Sequence, residues 1–219
     1  FSALDMFLKD QVQREMNDLL EDYKGTVILV SHNRDEVYRF SEELLVIDQG
    51  RIAASGPTEQ LFRDPVSREA ARLTGCKNFS RIRKMDEHTL WAADWGIRLH
   101  MNKKIPDYAA CIGYRAHDFI PVWGERGNNM IRFDLENSAA LPFEHNYYIR
   151  PERKSSGCNG LGKKENDERE NGRHRTEQGS SYAENVICWF VQRDRETEVA
   201  EKGLPDYLFF NEDKILFLK

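Results

Sequence analysis

Residues Thr26-Val-Ile-Leu-Val30 form an unbroken β-branched and aliphatic run. It lacks the polar alternation of a half-exposed strand. Such a run asks for apolar neighbours on both faces, as in a parallel sheet covered by helices. The flanking sequence is consistent with that arrangement. Leu4, Phe7, Leu8, Val12, Met16, Leu19 and Leu20 recur at helical spacing over residues 4–23, with Ser2 as N-cap. Lys24-Gly25 ends that helix, because glycine accepts a left-handed C-terminal geometry. Ser31-His32-Asn33 follows the run, at the strand end where ligands of open α/β sheets gather. Residues 35–42 read as a short helix. Leu44-Leu-Val-Ile47 reads as a second buried strand, Asp48-Gln-Gly50 as a tight turn and Arg51-Ile-Ala-Ala-Ser55 as the returning arm. Two short helices, 57–62 and 66–73, are separated at Asp64-Pro65.

After Gly75 the pattern changes to short strands with turn residues between them and little helical signal. The candidates are 79–85, 89–93, 96–101, 109–115, 129–135, 146–149, 186–192, 207–210 and 214–218. Regularly spaced short strands suggest a small all-β barrel or sandwich. Trp91, Trp95, Trp123, Phe133, Trp189, Phe190, Phe209 and Phe217 fall mostly on these strands, as core or interface residues do. Residues 153–182 stand apart. They mix both charge signs and carry almost no apolar side chain, so they read as a mobile insertion. The expected division is therefore 1–75, α/β, and 76–219, all-β.

Composition excludes several classes. The 32 basic and 37 acidic residues leave a net charge of −5, which argues against a nucleic-acid partner. Mean hydropathy is −0.70, and no apolar run approaches the roughly 20 residues of a membrane span. Cys76, Cys111, Cys158 and Cys188 include no Cys-x-x-Cys pair, and the six histidines have no ligand spacing, so no metal site is expected. The chain begins at Phe1 without an initiator Met or a signal pattern, which reads as a cut through a longer sequence.

The order Ser-Ala-Leu-Asp, helix, Gly-Thr-Val-Ile-Leu-Val-Ser-His, Arg-Asp-Glu-Val, Val-Ile-Asp-Gln-Gly-Arg-Ile and Gly-Pro resembles the C-terminal part of an ABC-transporter ATPase subunit. The resemblance covers residues 1–56. It implies that Ser2, Ala3, Leu4 and Asp5 are the D-loop, which couples two nucleotide sites across a head-to-tail homodimer. It implies that His32 is the switch histidine, which faces the γ-phosphate and helps hold the geometry of attack. Phosphoryl transfer depends on such positioning and charge stabilisation. ATP and magnesium would serve the full-length protein, with a transmembrane permease as partner at the cytoplasmic face of the plasma membrane.

This chain departs from the family pattern. No Gly-rich loop ending in Gly-Lys-Ser/Thr is present. Gly162-Lys-Lys164 lacks the hydroxyl and the upstream spacing. The signature motif, the Q-loop and the Walker B strand with its catalytic glutamate are absent as well. No ATP is expected to stay bound to the chain and none to be hydrolysed.

Ala70-Ala-Arg-Leu-Thr-Gly-Cys-Lys-Asn78 and Ile112-Gly-Tyr-Arg-Ala-His-Asp118 resemble the linker and the OB-like (TOBE/MOP-type) regulatory barrel of importer ATPases, nearest to the molybdate or sulfate branch. Some members of that branch bind the imported oxyanion in this domain. Ser80, Lys103, Lys104 and Arg115 are the candidate anion ligands, because such a pocket needs hydroxyls and a nearby cation. Arg115 paired with Asp118 and Lys103-Lys104 as a solvated turn are the simpler readings. A stand-alone regulatory module with a vestigial ATPase remnant is the alternative function. An isolated first third would also expose a sheet edge and an unfilled surface, so self-association or local disorder is expected there.

Overall fold

The computed structural model describes residues 6–152 and 186–219. The D-loop residues 2–5, the insertion 153–182, Cys158 and Gly162-Lys-Lys164 lie outside the described residues. The chain divides into two compact units, Phe1–Gly75 and Cys76–Lys219.

Unit 1 contains α1 (Met6–Asp22), α2 (Arg34–Phe40), the strands β1 (Glu43–Asp48) and β2 (Arg51–Pro57), and the short helices α3 (Thr58–Arg63) and α4 (Arg68–Leu73). β1 and β2 form an antiparallel hairpin with an irregularity between Val46 and Ile47. The turn works because Gln49 (φ 46°) and Gly50 (φ 75°) both take the left-handed region, which matches the twist of a two-residue hairpin loop. Alternation along β1 buries Leu44 and Val46 against Val37, Ala54, Leu61 and Ala70. The opposite face stays open, with Leu45, Ile47 and Ile52 each more than 60% exposed.

The run Thr26–Val30 is not a strand in this structure. It pairs with no described strand, and Ile28 and Val30 are 86% and 93% exposed. The run has the composition of a doubly covered strand, but the described residues supply no neighbouring parallel strand on which it could build a ladder. The expectation of a His at the end of a buried strand is corrected accordingly.

Among the described residues, unit 2 contains eleven strands in chain order after the hairpin: β3 (Asn78–Lys84), β4 (Thr89–Ala92), β5 (Ile97–His100), β6 (Cys111–Tyr114), β7 (Ile120–Val122), β8 (Met130–Ile131), β9 (Phe133–Ala140), β10 (Glu144–Pro151), β11 (Ile187–Gln192), β12 (Tyr207–Phe209) and β13 (Leu216–Leu218). They form a five-stranded sheet, β13-β6-β3-β4-β5, and two three-stranded sheets, β11-β10-β9 and β7-β12-β8. Among the described residues no sheet closes into the expected OB-like barrel; the strands stay in three separate sheets around one core. Leu90, Leu99, Ile112, Tyr114, Ile149, Trp189, Leu208 and Phe210 are among its fully enclosed side chains.

The weak helical signal after Gly75 hid one helix, α5 (Arg193–Lys202). Seven of its ten residues are charged and only Val199 is buried, so no apolar stripe marks it. It is supported by the Glu198–Lys202 pair at 2.7 Å, one helical turn apart, and by His145 Nδ1 at 2.8 Å from Glu196 Oε1.

Candidate functional site

His32 lies on the loop leading into α2, and hydrogen bonds on both sides of it fix that loop. Asn33 is the N-cap of α2. Its Oδ1 accepts from the backbone N–H of Asp35 at 3.0 Å and of Glu36 at 3.5 Å. Its Nδ2 donates to Glu36 Oε1 at 3.1 Å. The Ser31 hydroxyl donates to Glu36 Oε2 at 2.7 Å and accepts from the Asn33 N–H at 3.0 Å. Glu36 is 6% exposed, so both oxygens of a buried carboxylate are spent on holding residues 31 and 33. His32, between them, is exposed. Unable to turn inward without breaking this network, the loop presents one imidazole to solvent.

The sequence reading missed Glu36 and Asn33 as loop-fixing residues. The signal was available, since Asn33 followed three residues later by Glu36 is a capping-box spacing.

An exposed imidazole on a tied loop can exchange one hydrogen bond with a phosphate oxygen. That is a positioning contact and not a complete phosphoryl-transfer centre, which also needs cations on the phosphates. Among the described residues no cluster of three or more His, Cys, Asp or Glu could hold a metal ion. Within this loop the one side chain free to meet a phosphate oxygen is the exposed His32.

The four anion candidates of unit 2 have separate partners. Ser80 is buried; its hydroxyl donates to the Arg81 carbonyl at 3.0 Å and accepts from the Asp94 N–H at 3.0 Å. Lys104 pairs with Glu87 at 2.6 Å, and Lys103 lies 3.6 Å from Asp213. Arg115 is half-buried. Its charge opposes the upward push of burial on the Cys76 thiol and, with Lys214, on the Asp118 carboxyl. Ser80 is thus tied into the link between β3 and the turn after β4, and the two lysines face carboxylates on the surface.

No family model matches the chain. Among curated proteins it is similar to the sulfate/thiosulfate import ATP-binding protein CysA 2 of Chromobacterium violaceum, 27% identical over 133 residues, covering 59% of this chain and 36% of the relative. It is 33% identical over 89 residues to the Fe(3+) ions import ATP-binding protein FbpC of Haemophilus influenzae, covering 41% and 25%. It is 26% identical over 111 residues to the spermidine/putrescine import ATP-binding protein PotA of Aster yellows witches'-broom phytoplasma, covering 48% and 27%. The chain thus spans between a quarter and about a third of the length of these relatives. At 133 residues, the first match is longer than unit 1 and necessarily includes part of unit 2. Among the described residues, no helix is long and apolar enough to cross a membrane. The homologues of this chain are ATP-binding subunits of ABC importers, and they match part of it.

Proposed function

We propose that the chain is a C-terminal segment of the ATP-binding subunit of an ABC importer. In this reading unit 1 supplies the switch histidine His32 and the D-loop Ser2 to Asp5. Unit 2 is the regulatory domain of TOBE/MOP type, with its strands in open sheets. The subunit works as a homodimer beneath a transmembrane permease, on the cytoplasmic face of the membrane. Its cargo is an oxyanion of the sulfate or molybdate class.

The observation that carries the reading is the similarity of part of the chain to importer ATP-binding subunits, together with the Ser31, Asn33 and Glu36 network around an exposed His32. A histidine that contacts the γ-phosphate region has to be held exposed, and the network of Ser31, Asn33 and Glu36 supports that role for His32. The cargo assignment rests on the longest of the three alignments, to a sulfate/thiosulfate subunit, and on the Leu-Thr-Gly-Cys-Lys-Asn linker.

The test is the coding sequence upstream of Phe1. The expected result is an in-frame Gly-x-x-x-x-Gly-Lys-Ser/Thr loop about 150 residues before it. A stop codon or an unrelated domain there would overturn the reading. Calorimetric titration of the chain with molybdate, and separately with sulfate, tests the cargo; no heat at millimolar anion would remove it.

A further inference from the structure

A cleft of about 930 Å³ in unit 2 is lined by four arginines, Arg98, Arg126, Arg132 and Arg150, against two carboxylates, Asp94 and Glu152. Both carboxylates are already engaged: Asp94 with Arg81 at 2.6 Å and Glu152 with Arg132 at 3.5 Å. Arg150 reaches Glu136 at 2.6 Å. Arg98 and Arg126 have no carboxylate partner among the described residues and are exposed. Two positive charges in excess therefore face one concavity, in a chain whose net charge is −5. Concave walls of low dielectric focus such a field.

The walls are held in place. Asn129 takes the left-handed conformation (φ 54°), which a short polar side chain tolerates. It is buried and binds β5 reciprocally: its Oδ1 accepts from the His100 N–H at 2.7 Å and its Nδ2 donates to the His100 carbonyl at 2.8 Å. Its own carbonyl accepts from the Phe210 N–H at 2.8 Å. The Arg126 loop is thereby fastened beside the end of β5. On the other side, the Glu152 N–H donates to the Arg132 carbonyl at 2.9 Å, which fixes the end of β10.

One wall is aromatic. Trp91 on β4 lies directly opposite Arg98 on β5, and both belong to the outward face of the sheet, because Leu90, Ala92, Ile97 and Leu99 fill the core. Directly opposed side chains in an antiparallel pair are near neighbours. Guanidinium groups bind phosphate oxygens in a bidentate fork. The volume falls within the range of small-molecule sites and far exceeds a bare tetrahedral anion.

We propose that this cleft binds a small organic anion that carries a diphosphate-type group on a planar ring, with Arg98 and Arg126 on the phosphates and Trp91 against the ring. The site lies wholly in unit 2 and does not depend on His32 or on the family reading above.

The test titrates the full chain with ADP at low ionic strength, by calorimetry and tryptophan fluorescence. Inorganic pyrophosphate, sulfate and a short oligothymidylate are parallel probes. The expected result is saturable ADP binding with a change in tryptophan emission. That binding should weaken at least tenfold in the Arg98→Gln/Arg126→Gln double variant and stay unchanged in Arg63→Gln, an exposed position of unit 1, with pyrophosphate and sulfate binding more weakly. Both arginines are exposed, so the fold should tolerate the change, and circular dichroism checks it. No saturation at millimolar ADP, unchanged affinity in the double variant, equal binding of pyrophosphate or sulfate, or tighter binding of the oligonucleotide would each overturn the proposal.

Discussion

Asn78 shows how one polar side chain can stand in for a strand. It is 2% exposed, its Nδ2 donates to the Cys188 carbonyl at 2.9 Å, and its Oδ1 accepts from the Cys188 N–H at 2.7 Å. Those are the two bonds a neighbouring strand would make to β11. Asn78→Ala leaves both backbone groups without that partner and should cost about 1–3 kcal/mol, measured as a lower urea midpoint. Cys76, 2% exposed, has its thiol pushed up from 9.0 to about 11, chiefly by burial. In the unfolded chain the thiol ionises first. Its favourable contribution is therefore complete below pH 9 and is lost as pH rises toward 11. The stability difference between the native chain and Cys76→Ala should shrink between about pH 9 and about pH 11 in urea titrations. A difference that stays constant or grows would contradict the burial account.

At the scale of elements, the hairpin of unit 1 was legible because its signals agree. Asp48-Gln-Gly50 supplies the turn, and Leu44 and Val46 alternate toward the core. Gly50 has φ 75° with nothing within 4 Å of an added Cβ, so Gly50→Ala tests backbone strain without a steric clash. It should lower stability by about 1 kcal/mol, read from thermal unfolding. The run Thr26–Val30 was misread for the opposite reason. Its composition specifies an environment rather than a partner, and a strand needs a ladder as well as apolar cover. The helix α5 was missed because a charged helix with one buried residue leaves no periodic trace. The loop carrying His32 could be found from its motif, but its rigidity depends on Glu36 being buried, which spacing alone does not reveal. The cleft arginines were invisible for a related reason. They are spread over 98–150 and converge only through the packing of three separate sheets.

Across the whole chain, the two units differ in how well they are furnished. Unit 2 has a continuous core that runs from Leu90 to Ile215. Among the described residues, unit 1 has one core cluster of six buried side chains, and an apolar run and one hairpin face remain open to solvent. In the proposed reading His32 would face a phosphate, while the sequence carries no Gly-x-x-x-x-Gly-Lys-Ser/Thr loop to cradle one. The most direct test of that account is phosphate release from the purified chain with millimolar Mg-ATP, alongside His32→Ala. The account predicts no turnover above background in either protein. Hydrolysis by the native chain that His32→Ala abolishes would contradict it.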